Sequence, residues 1–354
     1  MLRRGANVKS EQNGPRLWTC PLWPLGMGFL GLARLKAWRY GRRSAPVRLG
    51  RPTVSIGNLT FGGTGKTPFA LAMARVLLEM GERPGVLLRG YGRRTRGARR
   101  VDQASAPEEV GEEALLLARA LPGTPVAVGE RREEAAALVR ELCSVFILDD
   151  AFQHLRVHRD VDLLLVDASR PGDLHAPPVG RLREPLSAAK RASVLVATRG
   201  EVHHLAPSLL GWTEGVPRVS ARFEWEPAPL GSALFPCWKA LGGVPVVAFA
   251  GVGHPESFFG QARAAGLSLS ARVAFRDHAR PTAARLRLIL SRARETGAGA
   301  VLTTEKDAVK WAPLWPEGLP LVYPRLTTLL EGDVEELRAR LAEACRPGAS
   351  LGRQ

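Results

Sequence analysis

Residues 53–80 read TVSIGNLTFGGTGKTPFALAMARVLLEM, and three kinds of local chemistry follow one another in them. TVSIGNL (53–59) opens with β-branched residues, as a short buried strand does. TFGGTGKTP (60–68) is a glycine-rich loop. PFALAMARVLLEM (68–80) predicts a helix that is apolar nearly all round, with Pro68 in its first turn and Gly81 as its stop. Gly62, Gly63 and Gly65 let successive backbone N–H groups turn toward one anion. Lys66 adds a point charge, and Thr67 a hydroxyl of the type that ligates magnesium. The run departs from G-x-x-x-x-G-K-[ST] at one position, where Thr60 replaces the first glycine. Glycine loops without a ligand are common, so the motif needs its flanks. Strand, loop and helix in this order set phosphate at a helix N-terminus. The expected nucleotide-binding residues are Thr60, Phe61, Gly62, Gly63, Thr64, Gly65, Lys66 and Thr67.

The rest of the chain repeats the alternation. PGVLLRG (84–90), TPVAVG (124–129), SVFILDD (144–150), DLLLVDA (162–168) and SVLVATR (193–199) read as buried strands. EEALLLARAL (112–121) and REEAAALVREL (132–142) read as helices. Such alternation predicts an α/β fold, a P-loop NTPase-like parallel sheet covered on both faces. VPRVSARFEWEPAPLGS (216–232) has the pattern of an exposed strand followed by a Pro/Gly-rich break. A second α/β unit follows, with VVAFAG (246–251), a helix from about Pro255, AVLTTEKD (300–307) and a final helix near 331–345. The expected division is an N-terminal segment at 1–43, a P-loop core at 44–213, a hinge at 214–232 and a smaller α/β domain at 233–346. VGHPESFFG (252–260) lacks the glycine spacing of a dinucleotide fingerprint.

A chain of 354 residues, 45% of them hydrophobic, has room for two domains with cores of their own. Cys20, Cys143, Cys237 and Cys345 are single and widely spaced, which fits neither a disulfide framework nor a zinc site. The formal charge of +16 suits nucleic acid, an anionic membrane or an acidic substrate as partner. It also suits a merely arginine-rich composition, as in RLRLILSRARE (285–295). No basic motif interleaved with aromatics is present, so no nucleic-acid partner is expected. At the N-terminus, PLWPLGMGFLGLARLKAWRYGRR (21–43) joins an apolar stretch to Arg34, Lys36, Arg39, Arg42 and Arg43. Trp18, Trp23, Trp38 and Tyr40 flank it. Its uncharged run, 21–33, is shorter than the ~18–20 residues of a spanning helix, and no small-residue cleavage site follows. A core-packed helix is one reading; a membrane-associated helix lying in the interface of anionic lipids is the other and the better fit. GMGFLG (26–31) matches G-x-G-x-x-G by letter, but no strand precedes it.

VFILDDAFQH (145–154) drives four apolar residues into Asp149 and Asp150. Carboxylates at the end of a core strand lie where open α/β sheets bind ligands. They are also the hard oxygen ligands that magnesium on a nucleotide requires. Paired acids there can equally cap a helix; a P-loop in the same sheet favours metal, with Thr67, Asp149 and Asp150 as the expected ligands.

Seven runs now stand in one order: SIGNLTFGGTGKTP (55–68), RGYGRR (89–94), DDAFQH (149–154), PVGRLREPLSA (178–188), FAGVGHPESF (249–258), FRDH (275–278) and LTTEKDA (302–308). Together they resemble the tetraacyldisaccharide 4′-kinases, the lipid A kinases of Gram-negative bacteria, from about residue 20 to 325. The resemblance implies transfer of the ATP γ-phosphoryl group to the 4′-hydroxyl of a tetraacylated glucosamine disaccharide 1-phosphate. It implies ATP and Mg²⁺, and a location on the cytoplasmic face of the inner membrane among anionic lipids. The family also carries Thr at the position of Thr60. By the same resemblance Lys66, Glu112 and His278 are catalytic. Asn58, Tyr91, Glu113, Arg132, Gln153, Arg183 and Glu184 lie near the disaccharide or nucleotide. Two departures stand out. The family's G-D-E-P is GEEA (111–114) here, so Glu112 replaces an aspartate and Ala114 a proline. Its DDGFQH is DDAFQH here, with Ala151 for glycine. His158, His175, His203, His204 and His254 have no Cys, Asp or Glu at metal spacing and read as surface or loop residues.

Two other classes share a P-loop, a nucleotide-dependent switch and a basic nucleic-acid-associated ATPase. The guanine-specificity motif N-K-x-D is absent, and TTEKD (303–307) only sets Lys306 beside Asp307.

Overall fold

The computed structural model describes residues 23–43, 45–226 and 238–346. The Pro/Gly-rich break at 227–232 and residues 1–22 of the N-terminal segment lie outside them. The helices are α1 (Trp23–Arg43), α2 (Lys66–Glu79), α3 (Pro107–Val110), α4 (Glu112–Ala120), α5 (Arg132–Ala137), α6 (Pro207–Leu210), α7 (Pro255–Ala264), α8 (Ala283–Glu295), α9 (Glu305–Trp311) and α10 (Val334–Cys345). The strands are β1 (Thr53–Asn58), β2 (Pro84–Leu88), β3 (Arg99–Val101), β4 (Val126–Val128), β5 (Val145–Asp149), β6 (Val161–Asp167) and β7 (Val194–Thr198). They continue with β8 (Arg218–Trp225), β9 (Pro245–Ala250), β10 (Ser268–Ala274), β11 (Ala300–Leu302), β12 (Leu321–Val322) and β13 (Leu326–Gly332).

Among the described residues the strands form two sheets, β13-β8-β7-β6-β1-β5-β2-β4-β3 and β10-β9-β11-β12. The first is parallel except at its edges, where β3 and β13 run antiparallel to their neighbours. β1 lies between β5 and β6, so the strand order reverses across it and a crevice opens at its carboxyl end. Both faces of the sheet are covered. Val161, Leu163 and Leu165 of β6 join a core with α2, α4 and α10, while Leu164 and Val166 face a separate cluster with Phe152 and Leu174. Burial on both faces is why these strands are continuous apolar runs rather than alternating ones. Gly57 has a packing reason: a Cβ there would lie 2.6 Å from the Phe152 backbone nitrogen.

Three expectations change. The helix read over 132–142 stops at Ala137, and a tight turn at Arg140–Leu142 follows, so that Val139 and Cys143 enter the core while Leu138 stays outside. The strand near 218 is no exposed edge: β8 pairs with β7 and β13, and Val219, Ser220 and Ala221 are buried. The chain also crosses the boundary expected for a unit at 233–346. After the second sheet it comes back, β13 pairing with β8 and α10 packing Leu337 and Leu341 into the core of α2. Ala151, by contrast, needs no strained backbone. Its methyl group is buried with Leu87, Phe146 and Leu148.

α1 packs against the 174–186 segment. Gly26 is required for this approach, because a Cβ would lie 2.4 Å from the Pro177 carbonyl oxygen. Leu30 leans on the Leu174 cluster, and Phe29 meets Phe61 at 6.3 Å between ring centres. Met27, Leu32 and Leu35 are left exposed. No described helix is long and apolar enough to cross a membrane.

Candidate active site

The carboxyl ends of both sheets face one cleft of about 640 Å³. The first sheet contributes the loop after β1. Its entry is held by the 181–183 segment: Phe61 N–H donates to the Arg181 carbonyl at 2.7 Å, and Arg183 N–H to that of Leu59 at 2.7 Å. This bridge pairs Thr60 with Leu182, so the position where a P-loop usually has its first glycine is here an extended residue. Gly62 and Gly65 have φ of 108° and 81°, a region costly for other residues. No side chain caps α2 and no acid lies in its first turn, leaving its first N–H groups to an anion.

Beside the loop, Asp150 accepts from Arg183 Nη1 at 2.9 Å and lies 3.4 Å from Lys66 Nζ. Burial works against its charge, but Lys66 and Arg183 hold its carboxyl below the usual range. Asp149 is the opposite case. Burial, reinforced by the negative charges of Glu113 and Asp150, pushes its carboxyl up to about 7, and its Oδ1 is buried with no hydrogen-bond partner. An orphaned buried carboxylate oxygen at the end of β5, in a site that also holds the Thr67 hydroxyl in the first turn of α2, fits a magnesium ligand set. Among the described residues no three His, Cys, Asp or Glu side chains gather as an all-protein cage.

The other sequence-predicted residues fall into two groups. Gln153 Nε2 donates to the Asn58 carbonyl at 2.7 Å and to Glu184 Oε1 at 2.9 Å, and Arg183 Nη1 donates to Gln153 Oε1 at 3.4 Å. Both polar atoms of the Asn58 side chain are buried and unpartnered. Next to Glu113 and Asp277, which line the cleft, Glu112 Oε2 lies 3.3 Å from His278 Nδ1, although 166 positions separate them in sequence. Burial opposes the charge of Glu112, but the hydrogen bond from His278 and the ammonium of Lys310, 3.4 Å away, keep its carboxyl low. The Tyr91 ring lies 5.5 Å from the imidazole, tilted 59° to it, and Glu113 lies 3.5 Å from Lys306. Arg132 belongs to neither group: it is buried and bonded to the Gly129 and Asp149 carbonyls. Burial lowers its guanidinium to about 10. The Phe61 side chain is exposed and lies against Arg183 at 5.4 Å, and its backbone N–H is already bonded to the Arg181 carbonyl.

Two residues escaped the sequence reading. Arg199, at φ 56°, donates to the Gly63 carbonyl and to Asp167 Oδ2, both at 2.6 Å. Lys306 joins the Glu112–His278 pair. Both follow the carboxyl end of a strand, the same position that singled out Asp149.

His154 gives a pH test of this region. Burial, and then the Arg132 charge, push its imidazole down to about 4, and its Nε2 has no partner. The unfolded chain takes up that proton near the ordinary ~6.5. The stability that depends on a neutral His154 is therefore whole above about pH 6.5 and is lost as pH falls toward 4. The thermal midpoint is expected to fall across this window, and less steeply in His154→Gln.

The comparisons with known proteins agree with this geometry. A family model described as tetraacyldisaccharide-1-P 4′-kinase matches residues 18–346. The tetraacyldisaccharide 4′-kinase of Geobacter metallireducens is 40% identical over 87% of this chain and 93% of its own. That of Geobacter sulfurreducens is 39% identical over 88% and 89%. The crystal structure of "apo" form LpxK from Aquifex aeolicus in complex with ATP superposes with a TM-score of 0.74 at 28% identity, covering 92% of this chain and 98% of that one. The chain belongs to the tetraacyldisaccharide 4′-kinase family.

Proposed function

We propose that this kinase moves the γ-phosphoryl group of ATP to the 4′-hydroxyl of an acylated glucosamine disaccharide 1-phosphate, with Glu112 and His278 as a coupled base. The 3.3 Å contact between these residues, at the edge of the cleft that the P-loop lines, carries the reading. The hydroxyl oxygen forms the new bond to phosphorus, the bond to the β,γ-bridging oxygen breaks, ADP leaves, and the hydroxyl proton passes to the Glu112–His278 pair. Lys66 and the free N–H groups of α2 stabilise charge on the phosphoryl oxygens. Asp149, Asp150 and the Thr67 hydroxyl would hold Mg²⁺, which supplies charge neutralisation between the β- and γ-phosphates. Asn58, Gln153, Arg183 and Glu184 are the polar groups we assign to the sugar. Incubation with the disaccharide 1-phosphate, ATP and Mg²⁺ tests the reading; absence of a 4′-phosphorylated product in detergent micelles would refute it. The switch and nucleic-acid readings have no such support from the relatives.

The working position we propose is the cytoplasmic face of the inner membrane, with α1 lying among anionic lipids. Its exposed Met27, Leu32 and Leu35, together with the basic residues that follow, support this. Leu32→Glu with Leu35→Glu should lower partition into phosphatidylglycerol vesicles at least about tenfold, since each exposed leucine loses ~1 kcal/mol or more of burial. Thermal stability should stay as it is, and neither protein should be retained on duplex DNA. Equal sedimentation with vesicles before and after substitution would remove α1 from the membrane.

A further inference from the structure

Lys306 opens the second position of α9, directly after the carboxyl end of β11. Its ammonium meets three partners: His278 Nε2 at 3.2 Å, Glu113 Oε1 at 3.5 Å and Asp277 Oδ1 at 3.5 Å. The side chain is only 20% exposed. An ammonium has three donors and no acceptor. Whatever it touches on the imidazole must therefore accept, and Nε2 is left without a hydrogen of its own. The ring hydrogen then belongs to Nδ1, and it points at Glu112 Oε2.

We propose that Lys306 is a positioning residue of the phosphoryl transfer, which selects the His278 tautomer that donates Nδ1–H to Glu112. The assignment rests on the reading of Glu112 and His278 as the base. It adds a direction to that pair. With Nε2 engaged by Lys306 and Nδ1–H donated, the member with lone pairs to spare is the Glu112 carboxylate. The imidazole then aligns this carboxylate and stabilises it, as a buried hydrogen-bonded orienting group does in other triads.

The surroundings of the ring leave it few alternatives. His278 has φ 57°, and its backbone N–H is bonded to the Gly251 carbonyl and to the Asp277 carboxylate. Tyr91 covers the ring on one side. Neither contact distinguishes one ring nitrogen from the other; the Lys306 ammonium and the Glu112 carboxylate do, while the Asp277 carboxylate, 3.9 Å from Nε2, lies beyond hydrogen-bond distance and is itself paired with Lys306. The second lysine, Lys310, completes the frame from the far side. It lies 3.4 Å from Glu112 Oε2 and 3.0 Å from Asp307 Oδ1, and Asp307 accepts from the Gly251 N–H at 2.8 Å. Lys306 and Lys310, one turn apart on α9, thus hold the two members of the pair separately, Lys306 the imidazole and Lys310 the carboxylate.

The test is ¹⁵N NMR of histidine-labelled full-length protein at about pH 8, above the ordinary imidazole range, with His278 assigned by the signals lost in His278→Gln. The wild type should show a protonated Nδ1 and a bare Nε2 at His278. Lys306→Met should lose this preference, and Lys306→Arg should retain it. In steady-state assays Lys306→Met should lower kcat about 10- to 100-fold, the scale of a ~1 Å misplacement, with KM for ATP within about twofold. Lys306→Arg should recover part of the loss. A wild-type His278 protonated at Nε2 overturns the proposal without any variant. So does an unchanged tautomer in Lys306→Met, or a tenfold rise in KM for ATP with kcat intact, which would make Lys306 a phosphate contact instead. If Glu112→Gln and His278→Ala remain active, it is the base reading that fails, while the tautomer result stands on its own.

Discussion

A Lys66→Ala protein should fold, melt close to the wild type and turn over about 100- to 1000-fold more slowly or worse, the scale on which a single charge-stabilising donor acts in a preorganised site. The lysine follows Gly65, at the first position of α2, and its ammonium lies 3.4 Å from Asp150. Removing it has two effects. The γ-phosphoryl group loses a point charge, and among the described residues Asp150 keeps Arg183 as its ion-pair partner. The fold has little stake in it, since the apolar side chains of α2 from Phe69 to Leu77 hold the helix in the core. Arg183→Ala, assayed at saturating disaccharide because Arg183 is also assigned to the sugar, makes the comparison that separates the two effects. It removes the other partner of Asp150, so an equal loss of kcat in both variants would show that Asp150, and not the phosphoryl contact of Lys66, is what matters. Near-normal activity in a folded Lys66→Ala protein would refute the phosphate role altogether.

The second large effect belongs to Glu112 and His278. A positioned base contributes ~100- to 10,000-fold, so Glu112→Gln and His278→Ala should each lower kcat strongly, with KM for ATP little changed. Because the two share one hydrogen bond, the double variant should be little worse than the worse single one. Losses that simply multiply would mean that the residues work independently. Glu112→Asp restores the acid the family usually carries but withdraws the carboxylate by about one carbon–carbon bond. The 3.3 Å contact to His278 is made by the glutamate as it stands, so the aspartate variant should be slower than wild type here. A fully active Glu112→Gln would shift the search for the base to Glu113.

How far the sequence could be read depended on what kind of signal each residue left. The glycine loop before α2 and the acids ending β5 could be picked out because glycines followed by a helix, and an apolar strand running into acid, are local patterns. Glu112 and His278 leave no such mark. They come from a helix of the first layer and a loop of the second sheet, and only likeness to a family joined them. Arg199 and Lys306 were passed over because each looks like an ordinary charge after a strand, and their partners, Gly63 and His278, are distant in sequence. The two-residue strand β12 was missed for want of length, and the edge strands β10 and β13, both partly exposed, for want of a continuous apolar run. α10 was expected as a helix, but its 3.6-residue pattern says only that one face is buried, not against which layer.

The return of the chain through β13 and α10 also bears on how the protein is made. When residues up to Trp225 have left the ribosome, β8 is an unpaired edge and the α2 core lacks Leu337 and Leu341. Neither gap closes until the last stretch of the polypeptide emerges, after the whole second sheet has been synthesised. Nascent chains of this protein therefore carry an open strand edge and an apolar face together through about the last third of translation, a state prone to association with other chains. The four-stranded sheet, whose strands all fall between Pro245 and Val322, is free to form first.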